Sequence, residues 1–160
     1  MYAKLNLKLK ERLHLFGDLQ MRTVQYDFLG FNDDLNNAIQ NSAFTFFNPK
    51  AGVNWQLHEG GRLYGSVAMA NREPNRDDFT ETTPTSRPTS ERMVDYEAGY
   101  ERRGSKYAAG LNFYYMDYTD QLVLTGELND VGAALRTNVA SSYRAGLEMT
   151  WVAQFTHWLR

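Results

Sequence analysis

In Tyr107-Ala-Ala-Gly-Leu-Asn-Phe-Tyr-Tyr115, a period of two puts Tyr107, Ala109, Leu111, Phe113 and Tyr115 on one side. Lys106, Ala108, Gly110, Asn112 and Tyr114 fall on the other. That is the signature of a strand, whose successive side chains point to opposite faces. Working outward, the same sorting recurs six more times. Tyr143, Ala145, Leu147, Met149 and Trp151 oppose Ser142, Arg144, Gly146, Glu148 and Thr150. Val94, Tyr96, Ala98 and Tyr100 oppose Asp95, Glu97, Gly99 and Glu101; Leu63, Val67 and Met69 oppose Ser66, Ala68, Ala70 and Arg72. Phe47, Pro49, Ala51, Val53, Trp55 and Leu57 oppose Asn48, Lys50, Gly52, Asn54 and Gln56. Leu13, Leu15, Leu19 and Met21 oppose His14, Asp18, Gln20 and Arg22; Ala3, Leu5, Leu7 and Leu9 oppose Tyr2, Lys4, Asn6 and Lys8. Trp158 to Arg160 reads as the start of an eighth strand.

Alternation alone fits any antiparallel sheet with one wet face. Three further features point to a membrane. The run Leu13 to Gln25 is 13 residues long, against about 5 to 6 for a strand in a globular domain and about 9 to 11 for a tilted membrane-crossing strand. Connections of three (Lys10 to Arg12), five (His58 to Arg62) and four residues (Arg102 to Ser105) alternate with longer ones. The long ones have nineteen (Tyr26 to Phe44), twenty-one (Glu73 to Met93) and twenty-two residues (Thr119 to Ala140). Short turns at one rim and long loops at the other are the asymmetry of an outer-membrane barrel. Finally, Phe47 and Trp55, Tyr107 and Tyr115, and Tyr143 and Trp151 are each eight residues apart on the apolar face of one strand. With strand tilt, that spacing spans about 20 Å along the membrane normal, close to the gap between two lipid-interface aromatic girdles.

The opposite face carries Lys4, Lys8, Asp18, Arg22, Lys50, Glu97, Glu101, Arg144 and Glu148, which a dry core would hold only at heavy desolvation cost and a watery lumen accepts. Gly52, Gly99, Gly110 and Gly146 share that face, and are expected to leave room for a plug or to permit bending. The 160 residues, 42% apolar with 22 Phe, Trp and Tyr, exclude a disordered chain, and a mean hydropathy of -0.56 without a long apolar run excludes spanning helices. A net charge of -2 gives no electrostatic footprint for nucleic acid. The absence of cysteine excludes disulfides and thiolate chemistry. The N-terminal alternation of apolar and basic residues is not a secretory signal.

The stretches Asn48-Pro-Lys-Ala-Gly52, Leu63-Tyr-Gly-Ser-Val-Ala-Met-Ala-Asn-Arg-Glu-Pro-Asn-Arg-Asp-Asp-Phe79 and Thr89-Ser-Glu-Arg-Met-Val-Asp-Tyr-Glu-Ala-Gly-Tyr100 carry a family likeness. So do Asn112-Phe-Tyr-Tyr-Met-Asp-Tyr-Thr-Asp-Gln-Leu-Val-Leu-Thr-Gly126, Thr137-Asn-Val139 and Tyr143-Arg-Ala-Gly-Leu-Glu-Met149. In this order they resemble the barrel of a TonB-dependent outer-membrane receptor, most closely from Phe44 to Trp158. The resemblance implies an all-β, antiparallel up-and-down meander, with residues 1–160 forming seven to eight strands of a barrel that has about 22 in the family. It also implies a place in the cell outer membrane, contact with its lipid, and loops that meet a small-molecule or oligosaccharide ligand such as an iron chelate or a cobalamin. TonB would be engaged only through a plug, which no segment here resembles. The expectation is therefore an internal stretch of barrel wall that self-associates when isolated.

No catalytic motif, resident cofactor or metal site is expected. His14, His58 and His157 fall on different elements, while Asp33-Asp34 and Asp77-Asp78 lack the spaced oxygen ligands of a calcium loop. By resemblance, Arg72, Asn75, Arg76 and Asp78 stand at the outer rim as candidate ligand contacts, or else as ties at the loop base. Phe47, Trp55, Tyr107, Tyr115, Tyr143 and Trp151 are the candidate lipid-interface rings. Two other functions fit the alternation alone: a complete eight-stranded outer-membrane barrel with an adhesive or structural role, and a soluble carbohydrate-binding sheet.

Overall fold

The computed structural model describes residues 1–28, 30, 39–80, 88–128, 132 and 134–154. Asp33, Asp34, His157, Trp158 to Arg160 and most of the Thr80 to Ser90 stretch lie outside them, so the expectations placed there have no structural counterpart here. Seven strands form one sheet in chain order: β1 (Tyr2–Lys10), β2 (Leu13–Phe28), β3 (Gln40–Gln56), β4 (Gly61–Arg72), β5 (Glu91–Arg103), β6 (Tyr107–Leu128) and β7 (Ala134–Ala153). Every neighbouring pair is antiparallel. A 3-10 turn at His58–Gly60 and a helix α1 of five residues (Arg76–Thr80) complete the described elements. The three short connections are hairpins, as the sequence predicts, and Gly60 at a φ of 76° supplies the left-handed step that the second needs.

Register fixes the faces. Leu15, Val53, Gly65, Ala98, Phe113 and Leu147 are successive cross-strand partners, and the next rung is Leu13, Trp55, Leu63, Tyr100, Leu111 and Met149. Each rung is drawn almost wholly from the apolar set. Between them runs His14, Asn54, Tyr64, Gly99, Asn112 and Glu148, all from the polar set except Tyr64, which shares its parity. One face therefore offers a continuous apolar surface, on which Phe113 of the interior strand β6 remains 49% exposed, and the other a charged one. Several lumenal charges find local partners: Lys4 with Asp18 at 3.9 Å, Arg62 with Glu101 at 2.8 Å, and Lys50 and Arg144 over the rings of Phe16 and Tyr118.

The structure corrects two expectations. The glycines of the inner face seat neighbouring side chains: the Phe16 ring lies over its partner Gly52, Tyr64 over Gly99 and Tyr114 over Gly146. A Cβ at any of the three would collide with the ring. Gly110 similarly makes space for the Thr150 hydroxyl. With its ring laid over Gly99, Tyr64 crosses β5 and donates a hydrogen bond to Asn112 Oδ1 on β6 at 2.9 Å.

The second correction concerns the long connections. Twenty-two residues were expected between the last two strands, but β6 and β7 are 22 and 20 residues long and stay paired from Gln121–Val139 up to Leu128–Ala134. This extension lacks clean alternation because Asp120 adopts a φ of 53° and the register shifts between Leu124 and Leu128. Beyond the lipid, nothing requires one face to stay apolar.

Candidate ligand-facing rim

The candidate residues sit where β4 gives way to a strap running over the inner side of the outer rim. Pro74 has no N–H to donate to a ladder and follows just after β4 ends. It is the one described side chain to be fully buried. Asn75 then caps α1 reciprocally with Asp78: the Asp78 N–H donates to Asn75 Oδ1 and the Asn75 N–H to Asp78 Oδ2, both at 2.8 Å. The helix is only a turn and a half long, so its hold comes from tertiary contacts.

Those contacts reach strands on both sides. Arg22 on β2 grips Glu73 through two hydrogen bonds of 2.9 and 2.5 Å, donates to the Asn71 carbonyl at 3.2 Å, and lies over the Phe46 ring. Burial is the largest single influence on the pKa of Glu73 and would raise it, but the Arg22 hydrogen bonds, a backbone hydrogen bond and the charges of Arg22 and Arg72 together outweigh it and hold the carboxyl below its ordinary value. On the far side, Arg136 of β7 donates to buried Asp78 at 2.8 Å. Between the two ties, Phe79 is 6% exposed and packs against Tyr26, Phe28 and Phe44 with ring centroids 5.4 to 6.3 Å apart. The strap thus links the second and seventh strands through two ion pairs and an aromatic anchor.

The base of the next strand is tied in a related way. β5 begins at Glu91, whose carboxylate bridges Arg72 Nε at 3.1 Å and the Leu122 N–H at 2.9 Å. Thr89 N–H donates to Asn138 Oδ1, while Asn138 Nδ2 donates to the carbonyls of Thr89 and Asp120. Side chains thereby continue the hydrogen bonding of the sheet past the end of β5.

Of the four candidate contacts, Arg72, Asn75 and Asp78 are engaged in these ties, and Arg76 is exposed on the strap. Sequence reading missed the partners Glu73, Glu91, Arg136 and Phe79 and gave Arg22 only a place on the lumen face. One signal could have found the aromatic anchor. Tyr26, Phe28, Phe44 and Phe46 keep the period of two but put rings on the parity that is polar lower down.

The six candidate lipid-interface rings occupy the apolar face. Phe47, Trp55, Tyr107, Tyr143 and Trp151 are exposed, whereas Tyr115 is half-buried between Tyr96 and Tyr143, with centroids 6.4 and 5.8 Å away. Trp55 shares a rung with Leu111, four residues above Tyr107 on β6. Such an offset is what strands tilted to the barrel axis produce.

A meandering sheet with a lipid-like face, a charged face and rings near both edges defines the wall of a transmembrane β-barrel. The profile of the family described as TonB dependent receptor-like, beta-barrel matches residues 1–160, and the chain belongs to that family of outer-membrane receptors. No curated protein is close enough in sequence to count as a match. Among solved structures, the copper transporter OprC aligns with a TM-score of 0.83 at 19% identity, over 98% of this chain and 26% of its own. The FrpB iron transporter from Neisseria meningitidis (F3-3 variant) gives 0.72 at 18% identity, over 97% and 23%. The siderophore receptor PirA from Pseudomonas aeruginosa gives 0.68 at 18%, over 92% and 26%. At these identities the likeness is one of fold, and the chain spans about a quarter of each structure's length.

Proposed function

We propose that the protein containing this wall imports a small external ligand across the outer membrane, drawing energy through TonB, and that its role is uptake rather than catalysis. The observation that carries this reading is the family match over all 160 residues, which favours it over an eight-stranded adhesin and a soluble sugar-binding sheet. The structures the chain resembles are an iron transporter, a copper transporter and a siderophore receptor. We extend that common content to this chain and propose a metal ion or metal chelate as cargo. The strands here are wall, and first contact belongs to the rim. Arg76 is the foremost candidate because it is exposed on a strap that Glu73, Asn75 and Asp78 hold in place.

The test is uptake by the full-length protein in a host lacking its own receptors, with radiolabelled ferric siderophores and copper offered in turn. Accumulation that disappears when TonB is deleted supports the proposal. Accumulation indifferent to TonB, or none with any metal-bearing substrate by a correctly inserted receptor, would overturn it.

A further inference from the structure

The short-turn rim carries Lys10, Arg12, Arg102, Arg103 and Lys106 against Glu11 and Glu59, so it is a basic edge on a chain of net charge -2. Plain alternation would turn Lys10 toward the lumen with Lys4 and Lys8. The register shift between Lys8 and Lys10 prevents this: Lys8 pairs with lumenal His14, but Lys10 pairs with Leu13, on the rung of Trp55, Leu63 and Tyr100. A bulge has therefore moved a cation onto the lipid-facing side. Lys10, Glu11, Arg12, Leu13 and Trp55 line one open pocket of about 460 Å³ there, and the Arg12 guanidinium lies against the His58 ring, whose one unprotonated nitrogen accepts its hydrogen bond. Arg102 lies on the same face, its cross-strand partner Ala109 being paired in turn with Trp151.

We propose that this pocket binds the phosphate of an anionic glycerophospholipid in the periplasmic leaflet. A lysine stem can lie along apolar surface while its ammonium reaches the headgroup level, where tryptophan rings also settle. Lys10 and Arg12 beside half-exposed Trp55 provide both elements. Glu11, the one carboxylate in the pocket, leaves a single net positive charge, which matches a singly charged headgroup phosphate. A soluble acidic partner would have no need of cations placed on the face that meets lipid.

The test uses the full-length receptor, delipidated in detergent and titrated with phosphatidylglycerol or phosphatidylethanolamine while bound lipid is counted by native mass spectrometry. Each cation near a lipid surface is worth about fivefold in affinity. The expected result is a preference for phosphatidylglycerol that falls at least fivefold in Lys10→Gln/Arg12→Gln, falls with added salt, and is unchanged in the lumenal control Lys4→Gln. Brominated phosphatidylglycerol should quench the wild-type fluorescence component that Trp55→Phe removes. Equal retention of both lipids, or a preference that the double variant leaves intact, would overturn the proposal.

Discussion

On β6 the wall and the rim meet within one strand and behave as different materials. Leu111 and Phe113 stand 41% and 49% exposed between neighbouring strands, their side chains resting on little besides the surface of the sheet. Among the described residues, the buried apolar ones, Phe28, Phe46, Phe79, Tyr118 and Leu122, all lie at the long-loop end. In the span, order comes from the backbone ladder and from two contrasting surroundings, lipid on one side and lumen on the other. At the rim both faces meet water, so order needs a small core of its own and paired charges. Exposed apolar side chains in the wall are therefore no defect, whereas in the rim they would be.

This contrast can be broken deliberately. The largest effect is expected in the wall, where Leu111→Arg places a charge on the lipid face and should cost up to about 4 kcal/mol of folding into bilayers, while Asn112→Arg next to it costs little. Folding titrations of the full-length barrel in lipid vesicles check it, and equal tolerance of both would abolish the face assignment. Second, Phe79→Ala should cost about 3 kcal/mol by opening a cavity among Tyr26, Phe28 and Phe44. The loss should be confined to the rim: hydrogen exchange should quicken across 73–80 while insertion into lipid is unchanged.

A smaller effect sharpens the role of charge at the rim. Because the pKa of Glu73 in the folded state lies below its ordinary 4.5, its stabilising contribution is complete above about that pH and is lost as pH falls through the depressed folded value. Strap exchange should accelerate on acidification below pH 4.5, and Glu73→Gln should remove that part of the pH dependence at a cost of about 1 kcal/mol, reduced because Arg22 is partly solvated. The smallest effect returns to the wall. Gly99→Ala pushes the Tyr64 ring off its seat and breaks its bond to Asn112, but the lumen gives the ring space and alanine suits a strand better. A net loss of about 0.5 kcal/mol in the lipid folding assay is expected.

What the amino-acid order determined by itself was the wall: seven strands, their two faces, the three tight hairpins and the family. Each depends on residues two apart alternating between apolar and polar, a local geometric fact that lipid and lumen make visible in composition. The rim was decided in three dimensions. Arg22 meets Glu73 across 51 positions and Arg136 meets Asp78 across 58, and no local period announces either pair, because both depend on register accumulated over several strands and on the fold of the strap between them. The same holds for Lys10, whose face was set by one extra residue in the ladder opposite Leu13. Alternation predicts a side chain's direction only while the count of residues on the two strands stays equal, and a bulge is the point where the partner strand does the counting.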